Sequence, residues 1–283
     1  MKVERFAAFS DGDAGGNPAG VVLCEALPGA EAMQAVAAEV GYSETVFAAP
    51  AGDGWRVRYF APESEVAFCG HATIALGAAL AQRFGDGVFQ LQLNAAAISV
   101  EGRRDGPMVA AALQSPPTAS RPAPSALVDA ALGLFSYRPD DLDPRIPPAM
   151  ANAGVNHLVL ALRSRERLAA MHYDLEAGRA FMTAEGIGTI SLVHAVSPRL
   201  LQARNPFAVG GVYEDPATGA AAAALGGYLR DLGWPHKGAI EIIQGEDMGM
   251  RSRLRVEITP TVGASVRVSG SARVIADPLR PHV

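Results

Sequence analysis

Two glycine-centred stretches place reactive side chains where a helix should begin. Phe68-Cys69-Gly70-His71-Ala72-Thr73 runs into an alanine- and leucine-rich segment at 74–82, and Glu214-Asp215-Pro216-Ala217-Thr218-Gly219-Ala220 into another at 220–229. Setting Gly70 against Gly219 superposes the two. Backbone N–H groups and the helix dipole at such an end suit a carboxylate. A duplicated start of this kind predicts two related lobes holding a small anionic ligand between them. His71, in the first turn, reads equally as a donor to that ligand and as a capping or core histidine. Asp215 followed by Pro216 reads first as an acidic N-cap with proline at the first helical position. Thr218-Gly219-Ala220 adds a backbone that a ligand can approach closely. Cys69 is of a type most often found as a small buried residue, although a helix N-terminus can depress a thiol pKa.

A further carboxylate, Glu44, lies in Gly41-Tyr42-Ser43-Glu44-Thr45, just past a helix stop and at the mouth of a strand. Spacing alone favours a solvated turn residue there. A desolvated carboxyl at that place would instead have a raised pKa and move a proton. Other chemistries find no pattern. The six histidines show no paired metal-ligand spacing, Cys-x-x-Cys is absent, and Gly15-Gly16-Asn17-Pro18 is followed by no helix pattern. The reading is of a site that needs no metal, nucleotide or other cofactor.

Length and composition bound the rest. At 283 residues, 49% hydrophobic and 19% charged, the chain suits a soluble globular protein of two domains. A formal charge of −5 without a basic run argues against nucleic acid as a partner. No apolar stretch is long enough to span a membrane, the N-terminus lacks a signal-peptide core, and two cysteines make no disulfide framework. A cytoplasmic location is the expectation.

The elements that must position these residues are mostly strands. Runs at 3–9 and 20–24 flank a Gly/Asp-rich turn, and 29–40 reads as a helix with Met33, Val36, Ala37 and Val40 on one stripe and Gly41 as its stop. Trp55, Val57 and Tyr59 alternate with Arg56 and Arg58, as Phe89, Leu91 and Leu93 do with Gln90 and Gln92. The proline-rich stretch 114–125 reads as an interdomain linker. Beyond it come helices from Ser125 and Ser164 and strands at 157–162, 189–193, 240–244, 254–258, 266–269 and 272–276. Many strands and few helices argue α+β rather than a doubly wound parallel sheet. The expected lobes are 1–115, joined by the last strand at about 271–283, and 124–270.

Taken in order, Gly16-Asn17-Pro18, Ser43-Glu44-Thr45, Cys69-Gly70-His71, the Glu-Asp-Pro-Ala-Thr-Gly run at 214–219 and Gln244-Gly245 form a set. With them the chain resembles, over nearly its whole length, the phenazine-biosynthesis PhzF-like isomerase family. That resemblance implies a diaminopimelate-epimerase type of fold: two pseudo-symmetric lobes of mostly antiparallel sheet, each curled around a central helix. It also implies a cleft site and a homodimer. Glu44 falls where the family has its general acid/base. Ser43, His71 and Asp215 fall among its substrate-binding groups, and Gly70, Gly219 and Ala220 at the backbone positions that hold a carboxylate. Asp215 near Glu44 would raise one of the two pKa values by like-charge repulsion. Ala220 stands where the phenazine enzyme has a serine, and Gly249-Met250-Arg251-Ser252 where many members read Gly-Arg-Pro-Ser. Two other readings stay open: an amino-acid racemase or epimerase, for which Thr218 stands where a second thiol is needed, and a non-catalytic small-ligand-binding protein.

Overall fold

Alternation along the chain becomes burial on one face of each strand. Between Gly54 and Phe60, Val57 and Tyr59 are buried while Arg56 and Arg58 are half-buried. Leu91 is buried between the exposed Gln90 and Gln92. A side-chain period of two sends one set to a core and the other toward water. The computed structural model describes residues 1–94, 96–106 and 108–276. The chain divides into two compact units, Met1–Gln114 together with the stretch from Ser269 onward, and Ser115–Val268.

In the first unit β1 (Glu4–Ser10) and β2 (Asn17–Leu23) pair antiparallel. Helix α1 (Ala30–Val40) crosses over, and β3 (Thr45–Ala51) returns parallel to β2. Met33, Ala37 and Val40 face the core as the stripe predicts, with Val36 partly buried, and Gly41 closes α1 in the left-handed conformation. Strand β4 (Gly54–Phe60) folds back on β3, and the short β5 (Glu65–Val66) pairs with β4. After α2 (Gly70–Phe84) come β6 (Gly87–Gln92), parallel to β4, then β7 (Ala97–Asp105) and β8 (Met108–Gln114), each antiparallel to its predecessor.

Helix α2 begins at Gly70, four residues ahead of the alanine-leucine run, and every residue over 70–81 is buried. A helix apolar on all sides belongs inside a core, and this one packs against β1, β2, β3, β6, β7 and β8. Glycine permits the approach: a Cβ on Gly77 would lie 2.5 Å from Val100 Cγ2, and one on Gly102 would lie 2.3 Å from the Gly77 carbonyl oxygen.

The second unit contains β9 (Ala119–Pro122), α3 (Ser125–Leu134), β10 (Ala149–Asn152), β11 (Asn156–Ala161), α4 (Arg165–Ala169) and α5 (Leu175–Glu185). It continues with β12 (Thr189–Ser197), β13 (Leu200–Phe207), β14 (Val212–Asp215), α6 (Gly219–Asp231), β15 (Ala239–Gln244) and β16 (Ser252–Glu257). The steps from β10 to β11, β12, β13, β14, β15 and β16 repeat those from β1 to β7: antiparallel, parallel, antiparallel, an antiparallel side strand, parallel, antiparallel. Helix α6 is buried like α2. Gly226 lies as far into it as Gly77 into α2, and a Cβ there would sit 2.7 Å from Val256 Cγ1 on β16. Each unit is thus one helix wrapped by mixed sheet, and the class is α+β.

The stretch 114–125 is not a free linker. Ser115 and Thr118 are buried, their N–H groups donate to Val266 and Gly263 carbonyls, and β9 pairs with β10. The two strands expected at 266–269 and 272–276 are one, β17 (Arg267–Val274). It leaves the second unit and pairs antiparallel with β1, Phe6 opposite Val274, and also with β8. The pairings β1-β2-β3-β4-β6-β7-β8-β17 therefore close into a ring around α2. Residues 277–283, part of the expected closing strand, lie outside the described residues. Among the described residues no helix is long and apolar enough to cross a membrane.

Candidate active site

Glu44 is fixed by the end of one element and the start of the next. The α1 stop at Gly41 turns the chain, and the Glu44 carbonyl accepts the Gly20 N–H at 3.2 Å just before β3 pairs with β2. The side chain is carried into the protein: the residue is 8% exposed. Burial lifts its pKa above the ordinary carboxylate range, while hydrogen bonds from Ser43 and Cys69 pull it down. The first cause of the lift is loss of water, the cause named above for a desolvated carboxyl at this place, and the like charge of Asp215 is not among the causes. Its Oε2 is buried, lies 3.4 Å from His71 Nε2 and has no aligned hydrogen bond.

His71 points back at this carboxyl from the first turn of α2. Its Nδ1 lies 3.1 Å from Asn17 Nδ2 and 3.3 Å from Cys69 Sγ, and its Nε2 lies 3.3 Å from Ser43 Oγ. An amide N–H only donates, so Nδ1 accepts from Asn17 and Nε2 carries the ring proton. That proton faces Ser43 and Glu44. The helix start beneath is locked by Tyr59 Oη, 2.7 Å from Thr73 Oγ1, which in turn donates to the Cys69 carbonyl at 2.7 Å. Ligand-type atoms of Glu44, Cys69 and His71 all lie within 4.8 Å of one another, and all three residues are buried. Linear spacing gave no sign of such a cluster, and the sequence reading expected no metal.

In the second unit Asp215 is the last residue of β14, and it is buried. It is not the N-cap of α6, nor is Pro216 its first residue. The helix starts at Gly219 with Thr218 as N-cap. Gln244 decides this: its Oε1 accepts the Thr218 N–H at 3.2 Å, and its Nε2 donates to the Asp215 carbonyl at 2.6 Å and to Thr218 Oγ1 at 2.9 Å. Braced this way, residues 216–218 cannot join the helix. Thr218 Oγ1 donates to Asp215 Oδ2 at 2.6 Å. Gly245 follows with φ 72°, and a Cβ there would meet the carbonyl oxygens of Met250 at 2.5 Å and Pro216 at 2.8 Å, so only glycine fits.

Glu214, adjacent in sequence, has a different job. It forms a buried ion pair with Arg204, Nη2 to Oε2 at 2.5 Å and Nε to Oε1 at 3.0 Å, while Arg204 Nη1 donates to the Ala169 carbonyl. Gly219 and Ala220 form the first turn of α6. Neither α2 nor α6 receives a side-chain cap from its N-cap residue. Cys69 is turned to His71 and Thr218 to Asp215.

Of the residues predicted from sequence, the first unit brings together Ser43, Glu44, Gly70 and His71. The second unit carries Asp215, Gly219 and Ala220 at its own helix start. Sequence reasoning left out Asn17, Thr218 and Gln244 as working side chains. All three sit inside the quoted motifs, which was the available signal.

Comparison with known proteins places the chain among relatives of the same length. The pattern of the phenazine biosynthesis-like proteins matches residues 6–277. An uncharacterized isomerase of Mesorhizobium japonicum is 32% identical, the alignment covering 96% of each protein. The trans-2,3-dihydro-3-hydroxyanthranilate isomerase of Pseudomonas aeruginosa is 33% identical over 95% of each. Among solved structures, a PhzF-family phenazine biosynthesis protein of Bacillus anthracis superposes with a TM-score of 0.84 at 22% identity, covering 97% of this chain and 98% of the other. At that identity the likeness concerns the fold.

Proposed function

The chain belongs to the phenazine biosynthesis-like protein family and is an isomerase, and on that premise we propose that it shifts a proton within a small carboxylate-bearing substrate, without a cofactor, through Glu44. One observation carries the reading. A carboxyl of raised pKa is buried beside His71 with Oε2 held in no aligned hydrogen bond. Ionised, Glu44 takes a proton from a carbon, and the C–H electron pair moves into the substrate's conjugated system. Protonated, it returns the proton at another carbon, so the net change is isomerisation. A proton held on one group between the steps calls for a pKa near the operating pH, and burial moves the Glu44 carboxyl in that direction. Ser43 and His71 offer an O–H and an N–H beside it. Gly70, Gly219 and Ala220 offer backbone N–H groups for a carboxylate, and Asp215 a polar contact, in the roles the family resemblance gives them.

A racemase using two thiols is the weaker reading, because Thr218 is the N-cap of α6 where Cys69 is the N-cap of α2. The relative's substrate, trans-2,3-dihydro-3-hydroxyanthranilate, is the first compound to try, followed by other small unsaturated acids. Glu44→Gln should lower turnover by about 10²–10⁴-fold while binding and folding persist. Product formed in heavy water, analysed by mass and NMR, reports whether the moved proton exchanges with solvent. Undiminished turnover in Glu44→Gln would remove Glu44 from the mechanism.

A further inference from the structure

The Glu44–Cys69–His71 cluster contains more donor chemistry than a proton shift uses. It joins a thiol, an imidazole and a carboxylate, all buried, with their ligand-type atoms within 4.8 Å of one another. One of the separations is already that of a metal's coordination shell, and a second is a few tenths of an ångström longer. His71 Nε2 and Glu44 Oε2 are 3.4 Å apart, and Cys69 Sγ is 3.9 Å from that same nitrogen. Donors on a tetrahedral zinc ion are about 3.3–3.6 Å apart, given Zn–S, Zn–N and Zn–O bonds of about 2.0–2.3 Å. A second observation points inward: Oε2 of Glu44, on a residue 8% exposed, is buried without an aligned hydrogen-bond partner.

We propose that Glu44, Cys69 and His71 form a three-donor site for zinc and similar borderline-soft divalent ions, and that an ion bound there silences the enzyme by occupying Glu44. The inhibitory half rests on the function proposed above; the binding half does not. On binding, the Cys69 S–H bond breaks, its proton leaves to solvent and a metal–sulfur bond forms, with no change of oxidation state. His71 binds through Nε2 and keeps its proton on Nδ1. Asn17, 3.1 Å from Nδ1, then turns its amide oxygen to that N–H, since a carboxamide can serve as either donor or acceptor. The fourth position is left to water or to a ligand carboxylate. Because the thiol must lose its proton, binding should tighten as pH rises.

Cobalt(II) is the probe, since a thiolate ligand gives it a charge-transfer band and a tetrahedral shell an intense visible spectrum. Metal-free wild-type protein titrated with Co²⁺ should show both, saturating at one ion per chain, and Zn²⁺ should abolish them. Cys69→Ser should lose the charge-transfer band. Glu44→Gln and His71→Gln should weaken binding at least about tenfold, the loss seen even for outer-sphere partners. Cys24→Ala should change nothing. Melting curves recorded without metal establish that each variant is folded. A charge-transfer band that survives in Cys69→Ser or vanishes in Cys24→Ala overturns the site, as does an unsaturable titration. Zinc that binds but leaves turnover intact overturns the inhibition alone. Binding by a protein that shifts no proton in any acid tested leaves the site standing and removes the isomerase mechanism.

Discussion

Around Gly70, at the start of α2, stand Glu44, Cys69 and His71, whose polar atoms face one another with hydrogen bonds only partly aligned. Around Gly219, at the start of α6, stand Asp215, Thr218 and Gln244, tied into a closed set of short hydrogen bonds. The strands leading to the two helices pair in the same sequence of directions. A repeated backbone has thus been furnished twice, once with a loosely tied cluster and once with a braced one. Tethered groups keep their shape but give up freedom to exchange protons, whereas a loosely paired buried carboxyl keeps that freedom at a cost in stability.

The sharpest way to break the comparison is to untie the second unit. Arg204→Ala leaves buried Glu214 without its guanidinium partner. It should destabilise the protein by about 3–5 kcal/mol, measured by urea denaturation. A loss below 1 kcal/mol would show that the ion pair does not hold the strand that ends in Asp215.

Acid and base should next separate the units in opposite senses. His157, buried in the second unit beside Thr189, has its pKa lowered from 6.5 to about 4 by desolvation. Its neutral form is what folding favours. The stabilisation is present above pH 6.5 and is lost as pH falls through about 4, amounting to roughly 3 kcal/mol. His157→Gln should flatten that acid limb. The raised pKa of Glu44 acts in reverse: its contribution is full below 4.5 and disappears as pH rises through the folded value. Glu44→Gln should therefore gain stability over wild type above pH 4.5, with the two converging below it. Melting temperatures across a pH series test both signs.

A smaller difference lies under the two helices. Gly102→Ala would push a methyl group to 2.3 Å from a backbone oxygen, whereas Gly226→Ala meets a valine methyl at 2.7 Å. Both overpack, by about 1–3 kcal/mol, and Gly102→Ala should be the worse because a valine can turn aside and a helix carbonyl cannot. Equal losses would mean that the first unit's sheet yields as easily as a side chain.

Features decided locally were legible in the sequence. Alternation gave β4 and β6, and the apolar stripe with its terminal glycine gave α1. The two glycine starts gave α2 and α6. Features decided at a distance were not. Helix α5 buries only Gly178 and Met182 of its eleven residues, too sparse a stripe to notice. The prolines at 114–125 resemble a linker until the carbonyls of Gly263 and Val266 are seen to receive N–H groups from that segment. Asp215-Pro216 resembles a helix cap until Gln244, from β15, claims the backbone first. The Glu44–Cys69–His71 cluster depends on the β2–β3 pairing and on α2 lying beneath it, so no spacing rule contains it. The acid/base reading of Glu44 came from family resemblance. What the structure adds is the buried setting and the neighbours.

Strand β17 sets an order of events for a chain leaving the ribosome. The first unit's barrel of pairings lacks one stave until residues near Val274 have been made, because Phe6 waits for a partner from the far end of the message. Until then the ring of pairings around α2, a helix buried along residues 70–81 in the finished protein, has a gap between β1 and β8. The half of the protein synthesised first is thus the half completed last, and a nascent chain stalled before Arg267 would expose the groove that β17 fills.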